Sequence, residues 1–133
     1  MAVKALILTG ALLLGVPALA QDVQRGERLY FQHCAVCHGE IAQGGGPMAE
    51  VLMVPPPDLT RIAERRDGVF PVIQIARLID GRDPILTHGG DMPIFGFVFG
   101  EFNVVLRERG GGTLLTSREV VDLVGWLETV QVE

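Results

Sequence analysis

Two cysteines stand three positions apart in Cys34-Ala35-Val36-Cys37-His38, and a histidine follows the second at once. Each thiol can add to one vinyl group of the same porphyrin edge while the next residue carries an imidazole under the iron, and this spacing is a signature of covalently attached haem. Cys34 and Cys37 are then the thioether anchors and His38 the proximal iron ligand. Two other chemistries use paired thiols. A structural zinc site wants four ligands at tetrahedral spacing, yet the chain has only 2 Cys and 3 His, with no second Cys-x-x-Cys. A thiol-disulfide exchange motif belongs in a βαβ setting, and no such pattern surrounds this one.

The elements that must present the motif follow from periodicity. Asp22 to His33 reads as a helix, with Asp22 as N-cap and Val23, Gly26, Leu29, Tyr30 and His33 at helical spacing, so that it delivers Cys34 at its end. Gly39 and the run Gln43-Gly44-Gly45-Gly46-Pro47 read as loop punctuation. Met48 to Val54 reads as a helical turn. Pro55-Pro56-Pro57 forces extended chain, because prolines remove backbone donors and bias the residues before them away from helix. Short helices are expected over 59–66 and 71–79, the second with the stripe Val72, Ile75, Ala76 and Ile79 and with Gly81 as its stop. The stretch from His88 to Pro93 reads as loop, 94–99 as an apolar run, and 100–109 as helix ended by Gly110-Gly111-Gly112. In the last element Thr116-Ser117-Arg118-Glu119 matches a capping box, and Val120, Leu123, Val124, Leu127 and Val130 line one face. No strand pattern of comparable strength competes, and there is no internal repeat. The fold class is therefore all-α, with about four to five helices around one covalently bound haem.

Residues 1–20 form a separate object: Lys4, an apolar stretch from about Ala5 to Val16, then Pro17 and Ala18-Leu19-Ala20 before Gln21. This is the pattern of a cleaved signal peptide, and the apolar stretch is shorter than the ~20 residues of a spanning helix. Residues 21–133 then make one domain, and export agrees with haem attachment outside the cytoplasm. Both cysteines belong to the motif, which leaves no thiol for a structural disulfide. Lys4 is the sole lysine, so residues 21–133 carry 10 Arg against 16 Asp plus Glu, a formal net charge of −6. With no basic stripe to neutralise phosphates, nucleic-acid binding is disfavoured. A domain of this size buries only about two-thirds of the surface of its unfolded chain, so a porphyrin is a substantial part of the core and the haem-free chain should fold poorly.

At this point the chain resembles a class I cytochrome c of the small bacterial periplasmic kind. The resemblance rests on Gly26-x3-Tyr30-x3-Cys34, on Cys-x-x-Cys-His itself, on Met92-Pro93 in a later loop, and on Leu123-x2-Trp126-Leu127 in the final helix. It implies that Gly26 lets two helices approach while Trp126 fills the crossing. It implies Met92 as the distal iron ligand, to be weighed against His88, Met48, Met53 and His33; methionine and histidine both serve in cytochromes. It implies a proline carbonyl that accepts from the other nitrogen of His38, with Pro55, Pro56 and Pro57 as candidates and Pro47 less favoured. Thr60, Arg61, Arg65 and Arg82 are candidate propionate partners. Two features depart from the family: no lysine-rich face is present, and 97–115 is an extra apolar, glycine-rich segment.

The function so implied is a periplasmic one-electron carrier, not an enzyme, with one low-spin haem c held by His38 and Met92. Its partners would be transient redox proteins or a membrane or periplasmic oxidoreductase complex, and the carrier a monomer. The alternative is a haem c subunit of a periplasmic dehydrogenase or terminal oxidase complex, with Phe95, Phe97, Phe99 and Phe102 at its interface. A third reading, a haem protein with an open iron site, predicts ready carbon monoxide binding.

Overall fold

The computed structural model describes residues 21–82 and 92–132; the leader expected over 1–20 and His88 lie outside the described residues. Helix α1, Val23–His33, starts where the Asp22 carboxylate accepts from the Arg25 backbone N–H at 2.9 Å, the N-cap expected. A one-turn helix α2, Ala35–His38, follows through Cys34 and carries the rest of the motif. Helix α3 is Val72–Asp80, closed by Gly81 at φ 81°, and helix α4 is Arg118–Thr129. Short 3-10 turns at Ala49–Val51, Leu59–Arg61, Glu64–Arg66 and Phe95–Phe97 complete the helical content among the described residues. The fold is mostly helical, as expected, and among the described residues no helix is long and apolar enough to cross a membrane.

The centre of the fold is the crossing of α1 and α4. A Cβ added at Gly26 would lie 2.0 Å from the Asp122 carbonyl oxygen and 2.8 Å from the Trp126 Cβ, so only glycine permits this approach. One turn on, the Tyr30 and Trp126 rings meet at 4.4 Å between centroids, inclined by 34°. Tyr30 is fully buried, and its hydroxyl donates to the Gly39 carbonyl at 2.5 Å, tying the helix crossing to the end of the haem motif. Burial pushes the Tyr30 phenol far above its ordinary range, which keeps it a neutral donor. Helix α4 is buried nearly all round, from Val120 to Leu127.

That burial includes a carboxylate. Asp122 accepts from the Asp22 backbone N–H at 2.9 Å and from Arg25 Nε at 2.6 Å, so it fastens the start of α1 to α4. Breaking a buried ion pair whose surviving partner stays buried costs ~3–5 kcal/mol. Arg25 is one-third exposed and recovers water, so Asp122→Ala is expected to cost about 2–3 kcal/mol, less than the fully buried case. Chemical denaturation of the holoprotein reads this as a lower midpoint at unchanged m-value.

Residues 100–109 do not form the helix expected from sequence. Val104–Arg107 and Thr113–Thr116 are antiparallel strands β1 and β2, with Val105 opposite Leu115 and Leu106 opposite Leu114. Leu106 and Leu114 are buried and Val105 and Leu115 exposed, the period-2 alternation of a half-buried ribbon. The glycines taken as a helix stop are its turn: the Glu108 N–H donates to the Gly112 carbonyl at 3.0 Å, and Gly111 takes φ 98°. A lone two-stranded ribbon is marginal in water; here its inner face packs on α3 and α4.

The cap of α4 also shifts by one residue. Ser117, not Thr116, accepts from the Val120 N–H, at 3.3 Å. The Thr116 hydroxyl is engaged elsewhere, donating at 3.0 Å to Asp80, a carboxylate buried at the end of α3 that also accepts from Arg82. Beyond α4, Gln131 stitches the tail to 59–63: its amide donates to the Leu59 and Leu127 carbonyls and accepts from the Ala63 N–H, all within 2.9 Å.

Candidate haem site

Helix α2 is too short to hold itself, and the loop after it does the work. The N–H groups of Met48, Gly46 and Gly44 donate to the carbonyls of Val36, Cys37 and His38 at 2.8, 3.1 and 2.8 Å. The three carbonyls that end the helix are thereby satisfied in order. Gly46 lies so close to this backbone that a Cβ there would be 2.5 Å from the Ala35 carbonyl oxygen. The glycine run is therefore a clasp around the motif, more than the punctuation its composition suggests.

A cavity of about 300 Å3 opens beside α2. It gathers Cys34, Cys37 and His38 with Val54 and Pro55-Pro56-Pro57 from the extended run and with Met92, Pro93 and Phe95 from the segment before β1. Cys34 and Cys37 are half-buried at the cavity wall, and His38 is 8% exposed. Its Nδ1 is 3.4 Å from the Pro57 carbonyl oxygen. A carbonyl can only accept, so this contact sets the tautomer with the proton on Nδ1 and makes Nε2 the unprotonated, metal-ligating nitrogen. Of the candidate prolines, Pro57 is the one that meets the imidazole.

The donors suit a porphyrin and do not suit a bare cation. Burial, with the neighbouring Cys37 second, pushes the Cys34 thiol up to about 12. Burial thus disfavours the charge that a thiolate would carry, and a thioether carries none. Among the described residues no group of three or more His, Cys, Asp or Glu could hold a metal ion. Apart from His33, the rest of the cavity wall is apolar, as an apolar macrocycle requires.

The candidates for the distal ligand separate by position. Met92 lines the cavity. Met48 and Met53 do not line it, and Met53 is 93% exposed. His33 reaches the wall, with its ring engaged by Phe95 and Phe99; His88 lies outside the described residues. The four candidate propionate partners are occupied away from the wall. Thr60 donates to Asp58, Arg61 pairs with Glu64, Arg65 donates to the Asp58 carbonyl, and Arg82 pairs with Asp80. The Asp80–Thr116 bond, the Asp122–Arg25 link and the Gln131 bonds to Leu59 and Ala63 escape sequence reasoning, since those partners lie far along the chain.

A helical chain that brings two thiols, an imidazole and a thioether to one apolar cavity has the architecture of a c-type haem protein. The family model for cytochrome c matches residues 23–131, and the chain belongs to the cytochrome c family. No curated protein and no solved structure matches it. The cofactor is haem c, carried on the Cys34 and Cys37 pair, and the domain implies electron transfer through it. Members of the family are usually electron carriers, not enzymes.

Proposed function

We propose that this protein is an exported one-electron carrier in which His38 and Met92 are the two axial ligands of a low-spin haem c. The observation that carries the reading is that one apolar cavity is lined by both thiols, by His38 backed by Pro57, and by Met92. When bound, the haem supplies an iron that cycles between ferric and ferrous states. The chain does the rest. Pro57 orients His38, and the clasp of Gly44, Gly46 and Met48 fixes α2. Met92 offers a soft sulfur that favours ferrous iron, and the hydrocarbon wall disfavours the extra charge of the ferric state. With two protein ligands at the metal, no position is left for substrate or dioxygen, so no catalysis is assigned.

Export rests on the pattern of residues 1–20, and the mature chain would be 21–133 in the periplasm. The mass of the purified holoprotein checks it: cleavage before Gln21 is expected. The partners proposed are transient redox proteins that meet an apolar or arginine-bearing face, since a mature chain without lysine cannot present a lysine ring.

The test is the absorption spectrum of the mature holoprotein in both oxidation states, with and without carbon monoxide. A methionine-to-iron charge-transfer band in the ferric form, and a ferrous spectrum that the gas leaves unchanged, are expected. A high-spin spectrum, or rapid reaction with carbon monoxide, would overturn the ligation. The subunit alternative keeps one observation in its favour. Phe97 is 92% and Val98 59% exposed, an apolar step beside the Met92 segment. Sedimentation of the isolated holoprotein separates the two: a monomer supports the mobile carrier, and self-association or a need for detergent supports the subunit.

A further inference from the structure

We propose that His33 is a positioning residue for the distal ligand: its ring, wedged against Phe95 and Phe99, latches the Met92 segment to the helix that bears the haem attachment. The inference rests on the reading of Met92 as an axial ligand. His33 is the last residue of α1 and the immediate neighbour of Cys34, so its backbone is fixed to the attachment point. Phe95 and Phe99 lie one turn apart, with the Phe99 N–H donating to the Phe95 carbonyl at 3.0 Å. Their rings stack at 5.4 Å and 18°. The His33 ring meets Phe95 at 5.9 Å and 67° and Phe99 at 5.2 Å and 80°, so its contact with each is edge-to-face. Both phenylalanines are buried, and Phe95 lines the cavity three residues after Met92.

The other side of the segment is held differently. Ile94 packs against Gly81, and the Asp80 carbonyl lies over Gly96, so the end of α3 fixes the backbone that follows Met92. The end of α3 belongs to another part of the chain from the haem-bearing helix. The histidine cluster makes that second connection, from Cys34 through His33 and Phe95 towards Met92. An edge-to-face contact biases an equilibrium by roughly twofold to tenfold, so the two contacts together shift the balance between closed and open Met92 segments by about tenfold. An external ligand that needs the open form sees its affinity reduced by the same factor.

The experiment titrates imidazole into the ferric mature holoprotein, following the methionine-to-iron charge-transfer band, for wild type, His33→Ala, His33→Phe and Phe99→Leu. His33→Ala is expected to bind imidazole about tenfold more tightly, from the two lost contacts. His33→Phe, which restores an aromatic edge, is expected to return the affinity to within about twofold of wild type. Phe99 does not line the cavity, so tighter binding in Phe99→Leu reports loosening of the latch and not extra room at the wall. It also keeps the test open if His33→Ala fails to fold. A wild-type spectrum without the band would overturn the Met92 reading and the latch with it. A wild-type spectrum with the band, and unchanged imidazole affinity in His33→Ala or in Phe99→Leu, would overturn the latch alone.

Discussion

Met92→Ala is expected to lower the reduction potential by a tenth of a volt or more, a sizeable part of the ~0.8 V over which axial ligands tune haem iron. The sign follows from the ligand: a neutral, polarisable thioether stabilises ferrous iron, and water or a nitrogen donor in its place stabilises ferric iron. The same substitution removes the ferric charge-transfer band and lets carbon monoxide bind the ferrous form. Met92→His separates loss of the ligand from collapse of the wall. It should keep a low-spin spectrum and resistance to the gas while the potential still falls. Equilibrium redox titration of the three proteins decides the matter, and a native potential in Met92→Ala would sink the assignment. Met48 and Met53 cannot readily substitute for the lost sulfur, because neither reaches the cavity wall.

What could be read in the sequence was what repeats at short range. Cys-x-x-Cys-His is a local chemical pattern, and α1, α3 and α4 announce themselves through apolar residues three and four apart. Gly26, Tyr30 and Trp126 were legible as a set through the family resemblance, and the structure places them in one crossing. The β-ribbon was hidden because 100–109 is a short run with glycines on both sides. Periodicity alone does not separate strand from buried helix in such a run. Val104, Val105, Thr113 and Thr116 carried the missed signal, since β-branched residues fit a pleated surface.

Tertiary choices were illegible for a different reason. Pro55, Pro56 and Pro57 are chemically identical acceptors, and only the path of the chain decides that Pro57 faces His38. Thr116 looked like a cap because its neighbour Glu119 completed a box. The buried Asp80 carboxylate, 36 residues earlier, takes its hydroxyl instead, and the cap passes to Ser117. Asp122 lies off the apolar stripe of its helix, where sequence reads a solvated acid; it is buried instead, and its reason, Arg25, lies 97 residues away. Buried carboxylates are seldom alone, so an acid flanked by valines and leucines is itself a hint that a cation waits elsewhere in the chain.

Replacing both cysteines by alanine is expected to abolish the folded protein, not merely its colour. The cavity of about 300 Å3 is walled mostly by apolar side chains, and without haem that wall meets water, which costs ~25 cal/mol per Å2 of apolar surface. The loss is set against a stability of only ~5–15 kcal/mol for a whole domain. Reversible haem binding through His38 and Met92 alone would offset this only while free haem is present, by mass action. The expected result is a chain with little helical circular dichroism, degraded after export. Cys37→Ala is the graded case: one thioether through Cys34 remains, and one vinyl group stays conjugated to the ring. The pyridine haemochrome band should then move to longer wavelength while the helical signal survives. A double variant that is haem-free and still helical would mean that α1, α4 and their crossing at Gly26 are sufficient for the fold, and that haem fills a site the chain has already built.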